Sequence, residues 1–427
     1  MQRTNAAPTS TPFTPVASTP HRLRAALSPR STPGSFRLTA AVVTAICAVC
    51  AVVAAAAIVA RSGSLNAAGN ETEQLVDLQE IRTAAVEADA IAASSFLGGS
   101  EESANQQVAY EARLGDATRL LADVAQRATT ADLPALAVAN DTLVRYAGLV
   151  EQARANNRQG FPVGASYQRQ ASNLLRSDFL PAIDDVAGAS RDRLNDSLSE
   201  STRNGAITVI LLAVALVALL LASLLLMRRT RRLVNVPIAI GAVLVGAALV
   251  WTVAVVVTTG SDVRDTVDTS LRGADALSRA RTSAFDARSA ESLTLINRGN
   301  GAANEADWQL ANAEVVAALD EACGATGDCF SDLWTPYQEQ HQEVRALDDD
   351  GQYEDAVALA TGPVGATFLA FTNAVGDARA GQAAAAVAAL DDAKGALDIL
   401  RWFVLAAGLI AAATVVVGFG QRLREYR

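Results

Sequence analysis

The chain has 427 residues and a net charge of −10, with 51% hydrophobic, 19% charged and 5% aromatic residues and a marked excess of alanine. His21 and His341 are the only histidines, and the sequence barely offers the partners that a hydrolase triad or a zinc site would need. No phosphate-binding loop, kinase signature or dinucleotide fingerprint occurs, so no catalytic residues, cofactor, metal or nucleic-acid partner is expected.

The chain opens on a Pro/Ser/Thr-rich segment, residues 1–37, with five arginines and no acid. It cannot bury enough apolar surface to offset its ordering entropy and reads as a disordered basic tail. Four apolar runs follow at 38–60, 206–227, 234–257 and 402–419, against a requirement of ~20 residues to span a bilayer. The first is too long, and lacks the small-x-small site, to be a cleaved leader. Between the second and third lies Arg228-Arg229-Thr230-Arg231-Arg232-Leu233, a loop at 228–233, and a short basic tail closes the chain at 420–427. Arginine concentrates on the cytoplasmic side of membranes. Both termini and the arginine loop are therefore expected inside the plasma membrane, with acidic segments 61–205 and 258–401 outside.

Segment 61–205 reads as helix. Leu78, Ile81, Ala85, Ala88, Ala92 and Ser95 recur at spacings of three and four, which puts small residues on one face. Leu97-Gly98-Gly99-Ser100 ends that helix, and a second runs to about Arg127. Thr129–Pro134 starts a third, which ends near Asn156–Gly160. The fourth begins after Pro162, is expected to kink at Pro181, and continues without a break into the second span. Segment 258–401 repeats the plan, with helices ending at Asn297–Gly301, over 302–322 and 330–347, and after Asp350-Gly351. Gly362-Pro363 is expected to break its last helix into a short and a long piece.

The halves also match locally. Arg82-Thr83-Ala84-Ala85-Val86-Glu87-Ala88 lines up with Arg281-Thr282-Ser283-Ala284-Phe285-Asp286-Ala287, and Phe179-Leu180 with Val186 lines up with Phe368-Leu369 with Val375. The fold class predicted is an all-α membrane protein: four transmembrane helices carrying two tandem extracytoplasmic four-helix bundles, an internal duplication. Two bundles in one chain supply the pseudo-symmetric pair that a single-bundle receptor makes by dimerising, so monomer and homodimer both fit.

Candidate residues are sparse. Cys323 and Cys329, spaced by a glycine-containing turn on the outer side, point to a disulfide ahead of a free pair or a metal site. Arg82 and Arg281 are candidates for an anion site between helices; the alternative is that each pairs with Glu87, Asp286 or another acid. His341 lies near Asp348-Asp349-Asp350, acids better read as a solvated tip than as metal ligands. Ala239, Ala242 and Gly246 in the third span, with Ala407, Gly408, Ala411 and Ala412 in the fourth, offer faces for close packing in lipid.

The order span, bundle, span, arginine loop, span, bundle, span, basic tail over residues 38–427 resembles the actinobacterial GlnX family, and each half resembles a chemoreceptor-type sensor bundle. The resemblance implies an amino-acid-sensing signal transducer, not an enzyme, linking an extracytoplasmic amino-acid-binding lipoprotein, GlnH, to the cytoplasmic Ser/Thr kinase PknG. No output domain is seen in the chain, so Arg228, Arg229, Arg231 and Arg232 become the candidate contacts for the kinase. Phe161, Pro162, Asp348, Asp349 and Asp350, at the outer tips, become those for the lipoprotein. Direct small-molecule sensing and a passive envelope scaffold are the competing readings.

Overall fold

A computed structural model describes residues 32–97, 100–159, 163–230, 235–297 and 301–425. Every regular element among them is helical. The first half comprises α1 (Thr32–Ser94), α2 (Ser100–Arg127), α3 (Leu133–Arg158), α4 (Val163–Leu174), a π-helical turn (Leu175–Phe179) and α5 (Leu180–Thr230). The second comprises α6 (Val236–Ile296), α7 (Ala302–Thr326), α8 (Ser331–Asp349), α9 (Tyr353–Leu359), a second π-helical turn (Ala360–Val364) and α10 (Gly365–Glu425). Four helical stretches, Arg37–Ser94, Val163–Arg228, Val236–Ile296 and Tyr353–Gln421, are each long and apolar enough to cross a membrane.

The duplication extends to a detail that residue spacing does not announce. Both halves build their fourth helix from a short piece, a π turn and a long piece. Proline explains why. Pro181 and Pro363 have no N–H to return to the preceding turn, and their rings crowd the carbonyl four residues back. Widening the turn accommodates both problems: Leu180 donates its N–H to Leu175 O, five residues back. The expected break at Gly362-Pro363 is therefore corrected. The backbone stays helical on both sides of that turn, at φ −64°, ψ −49° for Leu359 and φ −58°, ψ −42° for Gly365.

The described residues gather into two compact units. One combines Met1–Ala57, Ile207–Val253 and Leu400–Arg427. Its core contains Cys47, Cys50, Leu219, Ile238, Ala411 and Phe419, while Val49, Ile210, Leu221, Val243 and Val416 face outward, as in a bundle whose solvent is lipid. Trp251 packs on Phe403 with ring centroids 5.0 Å apart. Gly408 lets a helix approach closely, because a Cβ there would collide with Ala51 Cβ and reach Ala51 Cα at 3.3 Å. Gly246 has no such role, with nothing within 4 Å of its Cβ position; the close approach in that helix is made by Gly241 against Ala411 and Thr414.

The other unit combines Ile58–Ala206 with Ala254–Ile399. Its two halves share one hydrophobic cluster, with Ile81, Tyr146 and Phe179 from the first and Ala280, Tyr337 and Phe371 from the second. The alanine stripe Ala85, Ala88 and Ala92 of α1 is buried, as are Ala276, Ala280 and Ala284 of α6. Small side chains on both helices let the halves merge, which separate bundles with independent cores would not do. A disulfide joins Cys323 to Cys329 beside the left-handed Gly327 (φ 81°) that ends α7.

The glycine geometry makes a paired prediction. Gly408→Ala should destabilise the protein by about 1–3 kcal/mol through overpacking, whereas Gly246→Ala should be neutral within about 0.5 kcal/mol. Thermal unfolding of the two variants in the same detergent measures both.

Candidate functional site

The chemically distinctive part of the Ile58–Ala206/Ala254–Ile399 unit is the seam between its halves, where charged side chains enter an alanine-lined core. Asp89 of α1 is fully buried. Ser172 Oγ (2.7 Å), Gln168 Nε2 (3.2 Å) and the Tyr146 hydroxyl (3.4 Å) donate hydrogen bonds to one of its oxygens, and Arg176 Nη1 (3.3 Å) donates to the other. Arg176 lies in the first π turn, and its Nη2 crosses the seam to Asp286 of α6 at 2.6 Å. One guanidinium thus holds a buried carboxylate of the first half and a half-buried one of the second. Burial pushes the Asp89 carboxyl above the usual range, and Arg176 and Ser172 pull it back only in part. The two carboxylates raise the Arg176 guanidinium, against its own burial, so it stays charged.

The duplicated segment is visible in these pairs. Glu87 and Asp286 stand at the same place in the two copies, and each is met by an arginine from the opposite half. Arg281 Nη2 reaches Glu87 at 3.3 Å, as Arg176 reaches Asp286. Arg379 to Glu80 (2.5 Å), Gln79 to Asp275 (3.1 Å) and Arg191 to Asp275 (3.2 Å) add further bonds across the seam.

The second half carries its own buried acid, Glu291 of α6. Arg288 pairs with it and also donates Nη2 to Ala360 O in the second π turn, at 2.7 Å. His341 of α8 places Nδ1 2.7 Å from Glu291 and Nε2 3.2 Å from Glu305. The imidazole is buried and stacked on Trp308, at 3.7 Å between centroids. Burial alone would raise the Glu291 carboxyl, but Arg288 and His341 outweigh it and hold it below the usual range.

The structure separates the residues that the sequence grouped. Arg82 and Arg281 do not converge: Arg82 pairs with Asp184 in its own half at 2.6 Å, while Arg281 crosses to Glu87. Both take the acid-paired alternative. His341 is not with the acidic tip, where Asp348 and Asp349 are held by Arg345 at 2.7 Å each and Asp350 is exposed. Phe161, Pro162, Arg231 and Arg232 lie outside the described residues; Arg228 is exposed near the end of α5, with Arg229 next to it in the helix. Asp89, Arg176 and Glu291 were missed. The available signal was an acid inside an alanine-rich stripe, Val86-Glu87-Ala88-Asp89-Ala90, with no neighbouring base to pair it.

No group of three or more His, Cys, Asp or Glu able to hold a metal occurs among the described residues. The seam does contain open space. A cavity of about 580 Å³ lies against Arg176, Asp286 and Ser289, and another of about 690 Å³ against Gln79, Arg191 and Asp275.

Residues 64–199 match the family model of the actinobacterial sensor domain. The match covers the part of the first half that contains Asp89, Arg176 and the first π turn. The match points to a sensing or signalling role in a chain with four helices long and apolar enough to cross a membrane. Comparison with curated proteins and with solved structures returned no match.

The two buried acids make opposite predictions for pH. A carboxyl lowered by folding adds stability above its unfolded pKa and loses it as pH falls through the folded value; a raised one loses stability as pH rises through the ordinary carboxylate range. Glu291→Gln should cost about 3–5 kcal/mol near neutrality, because Arg288 loses a buried partner, and that cost should shrink below about pH 4. Asp89→Asn should show the reverse trend, with its cost largest at acid pH. Urea midpoints from about pH 3 to 7 read both, and parallel profiles would contradict the assignment.

Proposed function

We propose that the protein is a transmembrane transducer that reports extracytoplasmic amino-acid supply to a cytoplasmic Ser/Thr kinase, taking its input from an amino-acid-binding lipoprotein. The observation that carries the reading is the sensor-domain match over 64–199 in a half that is ion-paired to its own duplicate through Arg176 and Arg281. Such a seam has the form of a two-position element, because changing the relation of the halves exchanges discrete ion pairs rather than deforming a continuous surface. The GlnX-like order of spans and bundles supports the partners, a GlnH-like lipoprotein and a PknG-like kinase.

In this reading the arginine-rich segments face the cytoplasm and the seam faces outward. The loaded lipoprotein docks at the outer tips through Phe161, Pro162 and the Asp348–Asp350 turn. It favours one seam arrangement only by the difference in its affinity for the two. The output path is α5, which runs without interruption from Leu180 beside the first π turn to Thr230. Shift or rotation of that helix moves Arg228, Arg229, Arg231 and Arg232, which the kinase grips.

Two measurements on the full chain in lipid nanodiscs test the two ends. A Gln79→Cys/Asp275→Cys pair spans a seam hydrogen bond, and its oxidation rate should change when amino-acid-loaded lipoprotein is added but not when empty lipoprotein is added. An unchanged rate in both cases sinks the relay and favours a passive scaffold. Changing the four loop arginines to Ala should weaken capture of the kinase by about tenfold or more, equivalent to about 1.4 kcal/mol; undiminished capture would place the kinase contact elsewhere.

A further inference from the structure

The seam cavity of about 580 Å³ has features that the ion-pair lattice leaves unused. Its volume lies within the ~300–1,000 Å³ range of small-molecule sites. Arg169 of α4 lines it from the first half and Asp307 of α7 from the second. Arg169 bonds only to the Ser166 hydroxyl at 3.3 Å, and neither Arg169 nor Asp307 has an ion-pair partner among the described residues. Both side chains are exposed, and the two halves thus contribute opposite charges to the same cavity. Deeper in, Ser289 of α6 lines the same cavity at 1% exposure, and its Oγ has no hydrogen-bond partner. A buried hydroxyl without a partner is costly and calls for one. Buried Leu293 and exposed Leu310 (72%) add apolar surface.

We propose that this cavity binds a small zwitterion directly: a carboxylate at Arg169, an ammonium at Asp307, a hydrogen bond to Ser289 and a short aliphatic body against Leu293 and Leu310. A simple anion at Arg169 meets repulsion from Asp307, and a simple cation at Asp307 meets it from Arg169. A molecule carrying both charges gains from both side chains. Binding bridges the two halves beside the Arg176–Asp286 pair, so the ligand stabilises the seam in one arrangement. This site requires no lipoprotein, so it stands or falls separately from the relay.

The test uses the full chain in nanodiscs, with the twenty standard L-amino acids and 4-aminobutanoate as probes, each at about 10 mM, and thermal unfolding as readout. At least one zwitterion should raise the midpoint by about 2 °C or more. For each such probe, the deaminated acid and the decarboxylated amine should give no shift. Arg169→Gln and Asp307→Asn should each remove the shift, Ser289→Ala should reduce it, and Asp141→Asn, at an exposed position of α3, should preserve it. Three results would overturn the proposal: no probe shifts the midpoint, a singly charged counterpart shifts it equally, or the shift survives in both Arg169→Gln and Asp307→Asn. Lipoprotein-dependent oxidation of the 79/275 pair would be unaffected by that failure.

Discussion

Arg176 is the interaction on which the rest of the Ile58–Ala206/Ala254–Ile399 unit depends. Its guanidinium satisfies Asp89, which is fully buried in the first half, and Asp286, which belongs to the second. Removing one member of such a set leaves a charge in a low-dielectric interior with too few partners, which costs far more than the set contributes over an apolar replacement. The set is therefore better understood as a constraint on arrangement than as a source of stability. It requires α1, α4, the first π turn and α6 to be in register together. The alanine faces of α1 and α6 make that register possible, since larger side chains would hold the halves too far apart for the bridge.

The duplication has kept the frame and changed the chemistry. Each half retains a π turn near a proline, a buried acid on its first long helix, and an arginine that serves both the acid and the turn. In the first half the arginine sits in the turn itself and donates to Ser172 O at 3.2 Å. In the second it comes from α6 and donates to Ala360 O. Asp89 has neutral donors and a single arginine, Arg176, that it shares with Asp286, so burial dominates; Glu291 faces both Arg288 and His341, which outweigh its burial, and folding moves the two carboxyls in opposite directions. Two unlike charge clusters on matching frames allow a seam that responds asymmetrically, although the halves descend from one plan.

Much of this architecture was legible in the sequence because its signals are local. Apolar runs of spanning length, glycine and proline punctuation, and the i, i+3, i+4 stripe from Leu78 to Ala92 each act within a few turns. The repeat of Arg82–Ala88 at Arg281–Ala287 marked the duplication. What was not legible depends on partners distant along the chain. His341 lies close to three acids in sequence, yet bonds to Glu291 and Glu305. Arg82 and Arg281 are equivalent by alignment, yet one stays in its half and the other crosses. Gly362-Pro363 reads as a break, but a π turn absorbs the proline while the helix continues. Asp89 carries no local mark beyond being an acid among alanines, and its importance comes from burial that only the assembled halves create.

The central claim is that the two halves form one cooperative body joined at a charged seam. Hydrogen exchange on Leu143→Ala tests it most directly, since Leu143 lies in the first half at 3% exposure and its truncation should cost about 2–5 kcal/mol. If the halves unfold together, the slowest amides of α7 and α8 in the second half lose the same opening free energy as those of α3. Unchanged protection in α7 and α8, with loss confined to the first half, would show two independent bundles and contradict the account.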